Sequence, residues 1–223
     1  MTDECDNEQQ VLQSWSQNVV PWTRAVRGGE IASREQVTNN AVVDAVLACK
    51  PASVLDIGCG EGWLCRTLTT HGIRTTGVDA IGALVEAARS AGTDARVGRY
   101  DELLNLALPS PFDMLVCNFS LIGKQAAEQV CGAAPALLRN GGHVIVQTLH
   151  PNNADRPTQS GWRPGSWQGF SDDFCDPAPW YFRSLEDWQR LFTQSGLTLI
   201  QTLSPRRADD PQPASILFVA QAN

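Results

Sequence analysis

Short apolar runs alternate with stretches of helical period through the middle of the chain. Val54-Leu55-Asp56-Ile57, Thr75 to Val78, Ala95 to Val97, Met114 to Cys117 and Val144 to Thr148 each read as a strand. Between them, Trp63 to Thr69, Leu84 to Ala91 and Ala126 to Leu138 place apolar residues at helical spacing. Gly72 and Gly92 close the first two, and Asn140-Gly141-Gly142 turns the chain after the third. Strands apolar on both faces and separated by helices call for a parallel sheet covered on both sides. Right-handed crossovers then bring the strand C-terminal ends to one edge, where ligands bind in such folds.

The flanks are less regular. The first ten residues are polar and read as a frayed end. Val11 to Gly29 is mixed, with Trp15, Val19, Val20, Trp22 and Val26 as apolar anchors. Thr38 reads as the N-cap of a helix through Val42, Val43, Val46 and Leu47 that ends at Lys50-Pro51. Alternation stops between His150 and Arg183, a segment rich in Pro, Gly, Asp and aromatics. Its length points to function, and its aromatics argue against disorder. Ser184 then caps a helix carrying Leu185, Trp188, Leu191 and Phe192, and two apolar strands follow, Leu197 to Leu203 and Ser215 to Ala220. The expected organisation is an N-terminal helical segment over 1–50 and one main domain over 51–223, with 150–183 as an aromatic-rich insertion.

Composition narrows the function. The chain has 223 residues, 17 Lys+Arg against 24 Asp+Glu, and a net charge of −7. A polyanion binder needs a basic face, so nucleic acid is disfavoured. Seven cysteines with no C-x-x-C pair and no zinc-finger spacing read as reduced structural thiols, with no metal site. The acidic N-terminus does not resemble a signal peptide, and no stretch is apolar enough to span a membrane. These features lead us to expect a soluble cytoplasmic protein without membrane insertion, a monomer or homodimer.

The chemistry is carried by Asp56-Ile57-Gly58-Cys59-Gly60-Glu61-Gly62, a strand running into a glycine-rich turn and a helix. Dinucleotide binding needs G-x-G-x-x-G, and Trp63 stands where the third glycine would fall. The D-x-G-x-G-x-G pattern resembles motif I of class I S-adenosylmethionine-dependent methyltransferases. Asp79 ends the second strand, where this family places a ribose-binding acid. Phe112-Asp113 opens the fourth strand as in the family, and Gly141-Gly142 precedes the fifth. The resemblance implies a Rossmann-like α/β three-layer sandwich with a mostly parallel seven-stranded sheet and a C-terminal antiparallel hairpin. The N-terminal segment is similar to the cofactor-covering helices of ubiquinone/menaquinone-type small-molecule methyltransferases.

By that resemblance, Gly58 and Gly60 lie against the methionine part of S-adenosylmethionine, Cys59 between them is either a further cofactor contact or simply a small residue, and Asp56 reaches the ammonium group directly or through water. Asp79 holds the ribose and Ala80 backs the adenine. Tyr100 and Asp101 follow the third strand on the adenine side, and Asn118-Phe119 meets the amino acid end. Arg34 is either a partner for the cofactor carboxylate or a solvated surface residue; Trp22 is either core or a contact. His150, at the cofactor edge of the fifth strand, is either a general base or substrate contact, or a turn residue before Pro151. Trp162, Trp167, Trp180 and Tyr181 either roof the acceptor site or form a self-packed loop. The implied activity is in-line methyl transfer to a small organic acceptor, releasing S-adenosylhomocysteine. The competing class is a cofactor-binding module without turnover.

Overall fold

Alternate residues of each central strand face opposite sides of the sheet and build a core on each. In the computed structural model, which describes residues 2–151 and 159–223, β1 (Ser53–Ile57) is buried along its whole length. Its Leu55 and Ile57 face one layer, and Val54 faces the other. β4 (Phe112–Asn118) repeats this, with Leu115 and Cys117 on the first face and Met114 and Val116 on the second. The remaining central strands are β2 (Arg74–Asp79), β3 (Ala95–Val97) and β5 (Leu138–Thr148). The last two sheet strands are β8 (Leu197–Leu203) and β9 (Ile216–Ala222).

The sheet order is β3-β2-β1-β4-β5-β9-β8. Pairs among β1 to β5 are parallel, and β9 runs antiparallel to both β5 and β8. This is the expected seven-stranded sheet with a C-terminal antiparallel hairpin. The expected turn at Asn140–Gly142 is a bulge within β5, where pairing jumps from Leu138 opposite Phe112 to His143 opposite Met114.

Helices α6 (Lys124–Leu137) and α7 (Leu185–Gln194) pack on the first face. There Trp188, Phe192 and Phe218 stack with centroids 5.5–5.7 Å apart. Ser184 caps α7 as expected, its Oγ accepting from the Asp187 amide at 3.2 Å. On the second face lie α3 (Asn39–Ala48) and α4 (Trp63–Thr70), and α5 (Gly82–Ser90) follows β2. Asp113 pins the start of β1: its Oδ2 accepts from the Ala52 and Ser53 amides at 2.7 and 2.9 Å.

Three expectations are corrected. The first ten residues are not frayed, because α1 (Thr2–Gln17) begins at Thr2 and α2 (Val19–Arg27) follows it. α1 is held by tertiary contacts: Lys124 donates to Glu4 at 2.9 Å, and the Gln125 amide donates to Glu8 at 2.7 Å. Thr38 is not an N-cap; it is buried, with helical dihedrals, at the end of a π-helical turn (Arg34–Thr38) that runs directly into α3. Val20 is no anchor, being 75% exposed. Residues 152–158 of the expected insertion lie outside the described residues. The rest of it contains a two-stranded ribbon, β6 (Gly161–Arg163) with β7 (Trp180–Phe182). Among the described residues, no helix is long and apolar enough to cross a membrane.

Candidate active site

Chain order reverses between β1 and β4, and a cleft opens at the C-terminal ends of β1, β2 and β4 beside that switch point. Gly58 and Gly60 form its floor, both left-handed, with φ of +74° and +57°. At Gly58 a Cβ would fall 2.3 Å from the Ser120 Cβ and 2.7 Å from the Tyr100 Oη, so only glycine fits. At Gly60 a Cβ would meet nothing nearer than the Trp22 Nε1, 3.5 Å away. That second glycine leaves its face open towards the cleft.

Asp79 is the carboxylate of the floor. Its Oδ2 accepts from the Gly60 amide and its Oδ1 from the Ile81 amide, both at 2.8 Å. Burial raises its pKa above the usual carboxylate range, and these two bonds offset part of the rise. Ala80, Ile81 and Leu84 continue the wall as an apolar strip. Tyr100 and Asp101 line the cleft after β3, and the Tyr100 hydroxyl donates to the Ser120 carbonyl at 3.1 Å. Asn118 and Phe119 line it at the end of β4. The Asn118 Oδ1 is buried without a partner, and Phe119 takes a left-handed φ of +54°. For a bulky residue that backbone costs about 1–3 kcal/mol, a strain associated with functional sites.

Beneath the floor, Asp56 is buried at 2% exposure, and burial pushes its pKa up to about 7. The Cys65 thiol donates to it at 3.5 Å. Cys59 is buried beside it, and neither residue is part of the cleft lining. Arg34 is not a surface arginine: it is 9% exposed, between the rings of Trp22 at 5.5 Å and Trp63 at 4.9 Å. Burial lowers its pKa to about 10, and its Nη2 has no hydrogen-bond partner.

The opposite wall comes from α1 and α2, through Glu8, Val11, Leu12, Trp15 and Trp22. Sequence reasoning missed Glu8, Val11 and Leu12. The four-residue steps from Glu4 to Glu8 to Leu12 were the available signal, obscured by the polar composition around them. Glu61, in the glycine loop, is fully buried and ties this wall to the floor. It accepts from the Arg27 Nε and the Arg66 Nη2, each at 2.7 Å.

The structure does not bring the remaining expected residues into the cleft lining. Trp167 packs 5.8 Å from Trp15 and donates its Nε1–H to the Cys175 carbonyl at 2.8 Å. The Asn18 amide clasps Cys175 from the helix side, donating to its carbonyl at 2.8 Å and accepting from its N–H at 2.9 Å. Tyr181 packs against Trp162 at 5.6 Å, and its amide donates to the carbonyl of Ile122, a lining residue. Trp180 meets Phe182 edge to face, with centroids 6.1 Å apart. The described part of the insertion thus stands behind the cleft walls. His150 is buried, its Nε2 lies 3.0 Å from the Ser204 Oγ, and burial lowers its pKa.

A glycine floor at a switch point, with a buried carboxylate one strand away, suits a nucleoside ligand bearing a cationic group. Residues 33–202, more than half of the chain, match the sequence profile of a methyltransferase domain family. The chain belongs to that family. Among curated relatives, it is 32% identical over 105 residues to a ubiquinone biosynthesis O-methyltransferase of Xylella fastidiosa, covering 44% of this chain and 42% of that protein. The chain therefore spans about two fifths of the length of that relative. Among solved structures, this methyltransferase fold is similar to a putative S-adenosylmethionine-dependent methyltransferase from Listeria monocytogenes. That match has a TM-score of 0.63 at 17% identity and covers 81% of this chain and 96% of that one. An amino pentose methyltransferase of calicheamicin biosynthesis from Micromonospora echinaspora matches with a TM-score of 0.63 at 17% identity, covering 91% of this chain and 96% of that one.

Proposed function

We propose that this methyltransferase-family chain uses S-adenosylmethionine to methylate a small organic acceptor, with residues 1–50 covering the cofactor. The observation that carries the reading is the buried Asp79 carboxylate beside Gly60 in the cleft of a chain from this family. The residues present fit the group. Asp79 offers two oxygens for two ribose hydroxyl donors. Ala80, Ile81 and Leu84 suit the adenine, with Tyr100 and Asp101 at its edge. The open face of Gly60 and the tight turn at Gly58 and Cys59 suit close approach of the methionine part. Arg34, with its buried unpartnered Nη2, suits a carboxylate. Asp56 opposes the ammonium charge from below, and Asn118 and Phe119 stand at the amino acid end of the cofactor.

When bound, S-adenosylmethionine supplies an electrophilic methyl on a good leaving group, so alignment and exclusion of water carry most of the acceleration. Trp167, through Trp15, and Tyr181, through Ile122, brace the walls that would exclude water, and Trp162 and Trp180 extend that brace. The proposal assigns no proton transfer to His150, which lies outside the cleft lining beside Ser204. The net charge of −7 supports a small molecule over nucleic acid as partner.

Calorimetric titration with S-adenosylhomocysteine tests the cofactor reading. Binding is expected in the wild type, weakened at least about tenfold in Asp79→Ala, the loss of bonds to a charged partner. No binding, or binding indifferent to Asp79→Ala, overturns it.

A further inference from the structure

Resting on that cofactor reading, we propose that the Trp22 indole N–H binds the cofactor carboxylate together with Arg34, so that a tryptophan of α2 reads the amino acid end of the ligand. Trp22 lines the cleft. Its Nε1 faces the open side of Gly60, 3.5 Å from where a Cβ would stand. A ligand laid against that glycine therefore meets this nitrogen. Whereas the Trp167 N–H goes to the Cys175 carbonyl, the Trp22 N–H has no acceptor among the described residues.

The second donor lies alongside. The Arg34 guanidinium sits over the Trp22 ring, 5.5 Å from its centroid, with Trp63 at 4.9 Å. Its Nε is held by the Asn39 Oδ1 at 3.3 Å, and its Nη2 is buried without a partner among the described residues. Each nitrogen is only a few ångströms from the ring or guanidinium centre. One carboxylate, taking a hydrogen bond of about 2.8 Å on each oxygen, therefore bridges the two. Two converging donors, one of them cationic, suit a carboxylate, whereas an ammonium or an alkyl chain would leave both unmatched. Asp56, close enough to act on the Arg34 charge, takes the opposite role towards the ammonium.

The indole is held in place from several sides. Trp15 meets it edge to face at 4.9 Å, Arg34 covers it, and Phe170 of the insertion packs at 6.5 Å. Arg27, further along α2, pairs with Glu61 of the glycine loop at 2.7 Å, which keeps Trp22 in place over Gly60. A donor already fixed loses little freedom when the ligand arrives.

The test is calorimetry with S-adenosylhomocysteine and with S-adenosylthiopropylamine, the same molecule without its carboxylate. The wild type is expected to prefer S-adenosylhomocysteine at least about tenfold. Trp22→Phe keeps an aromatic ring beside Arg34 and removes the N–H. It is expected to weaken S-adenosylhomocysteine binding about tenfold, the loss of a bond to a charged group, while affinity for the amine stays within about twofold. In the wild type, the Trp22 indole N–H resonance is expected to move downfield with S-adenosylhomocysteine and not with the amine, a readout independent of how the variant folds. The proposal is overturned if the wild type binds the two nucleosides equally, or if a folded Trp22→Phe variant keeps its S-adenosylhomocysteine affinity or weakens for both alike. An indole resonance that responds to neither ligand, or to both alike, also overturns it. Failure of the wild type to bind either nucleoside overturns the cofactor reading instead.

Discussion

Replacing Glu61 with Gln removes the charge at the centre of an Arg27–Glu61–Arg66 triad. The Glu61 side chain is fully buried, and it accepts from the Arg27 Nε at 2.7 Å and from the Arg66 Nη2 through both carboxylate oxygens at 2.7 Å. Breaking a buried ion pair from one side costs about 3–5 kcal/mol, because the abandoned charge stays buried. Here the abandoned charges are two arginines, 44% and 30% exposed, which regain water. The expected cost therefore falls at the low end, about 3 kcal/mol, or about 6–12 °C in Tm for a chain of this size. Arg27→Met is expected to cost less, about 1 kcal/mol, since Arg66 keeps its bidentate hold. Because Arg27 comes from α2 and Glu61 from the glycine loop, both variants should also weaken S-adenosylhomocysteine binding. Urea unfolding of the two single variants and the double variant gives the coupling energy directly. A Glu61→Gln cost below about 0.5 kcal/mol would show that the triad does not hold the covering helices to the floor.

Other outcomes follow from the same geometry. Phe218→Ala opens a hole where Trp188 and Phe192 stack, and should cost about 3–5 kcal/mol in chemical denaturation; a loss under 1 kcal/mol refutes the packing. Burial places Asp56 near pKa 7, so below about pH 7 it gains a proton and loses its attraction for the ligand ammonium. S-adenosylhomocysteine affinity should therefore fall from pH 8 to pH 6, and Asp56→Asn should flatten that slope; a flat wild-type profile contradicts the role. A thiol reagent should reach Cys5 and Cys175, which are exposed, well before Cys59, Cys65, Cys117 and Cys131, which burial both covers and holds protonated. Mass spectrometry showing early labelling of a buried thiol would count against that burial.

What could be read from the sequence was what short-range pattern encodes. β1 and β4 announce themselves because both faces are buried, and motif I because a turn as tight as Gly58 admits only glycine. α1 could not be read this way: its polar sequence becomes a wall only when Glu4 and Glu8 meet the start of α6, more than a hundred residues away. Thr38 looked like a cap because its residue type suits one, but the π-helical turn carries the helix through it. The position of His150 followed from topology, which fixes the edge of the sheet but not which way a side chain turns there. Its Ser204 partner, and the insertion's grip on Asn18 and Trp15, depend on contacts between distant segments that no local signal marks.

A crystal structure with S-adenosylhomocysteine tests most directly whether the cofactor lies across Gly58 and Gly60. The ribose hydroxyls are predicted on the Asp79 carboxylate and the ligand carboxylate within reach of the Arg34 Nη2. A nucleoside bound away from the C-terminal ends of β1 and β2, or one leaving Asp79 without a ligand contact, would contradict it.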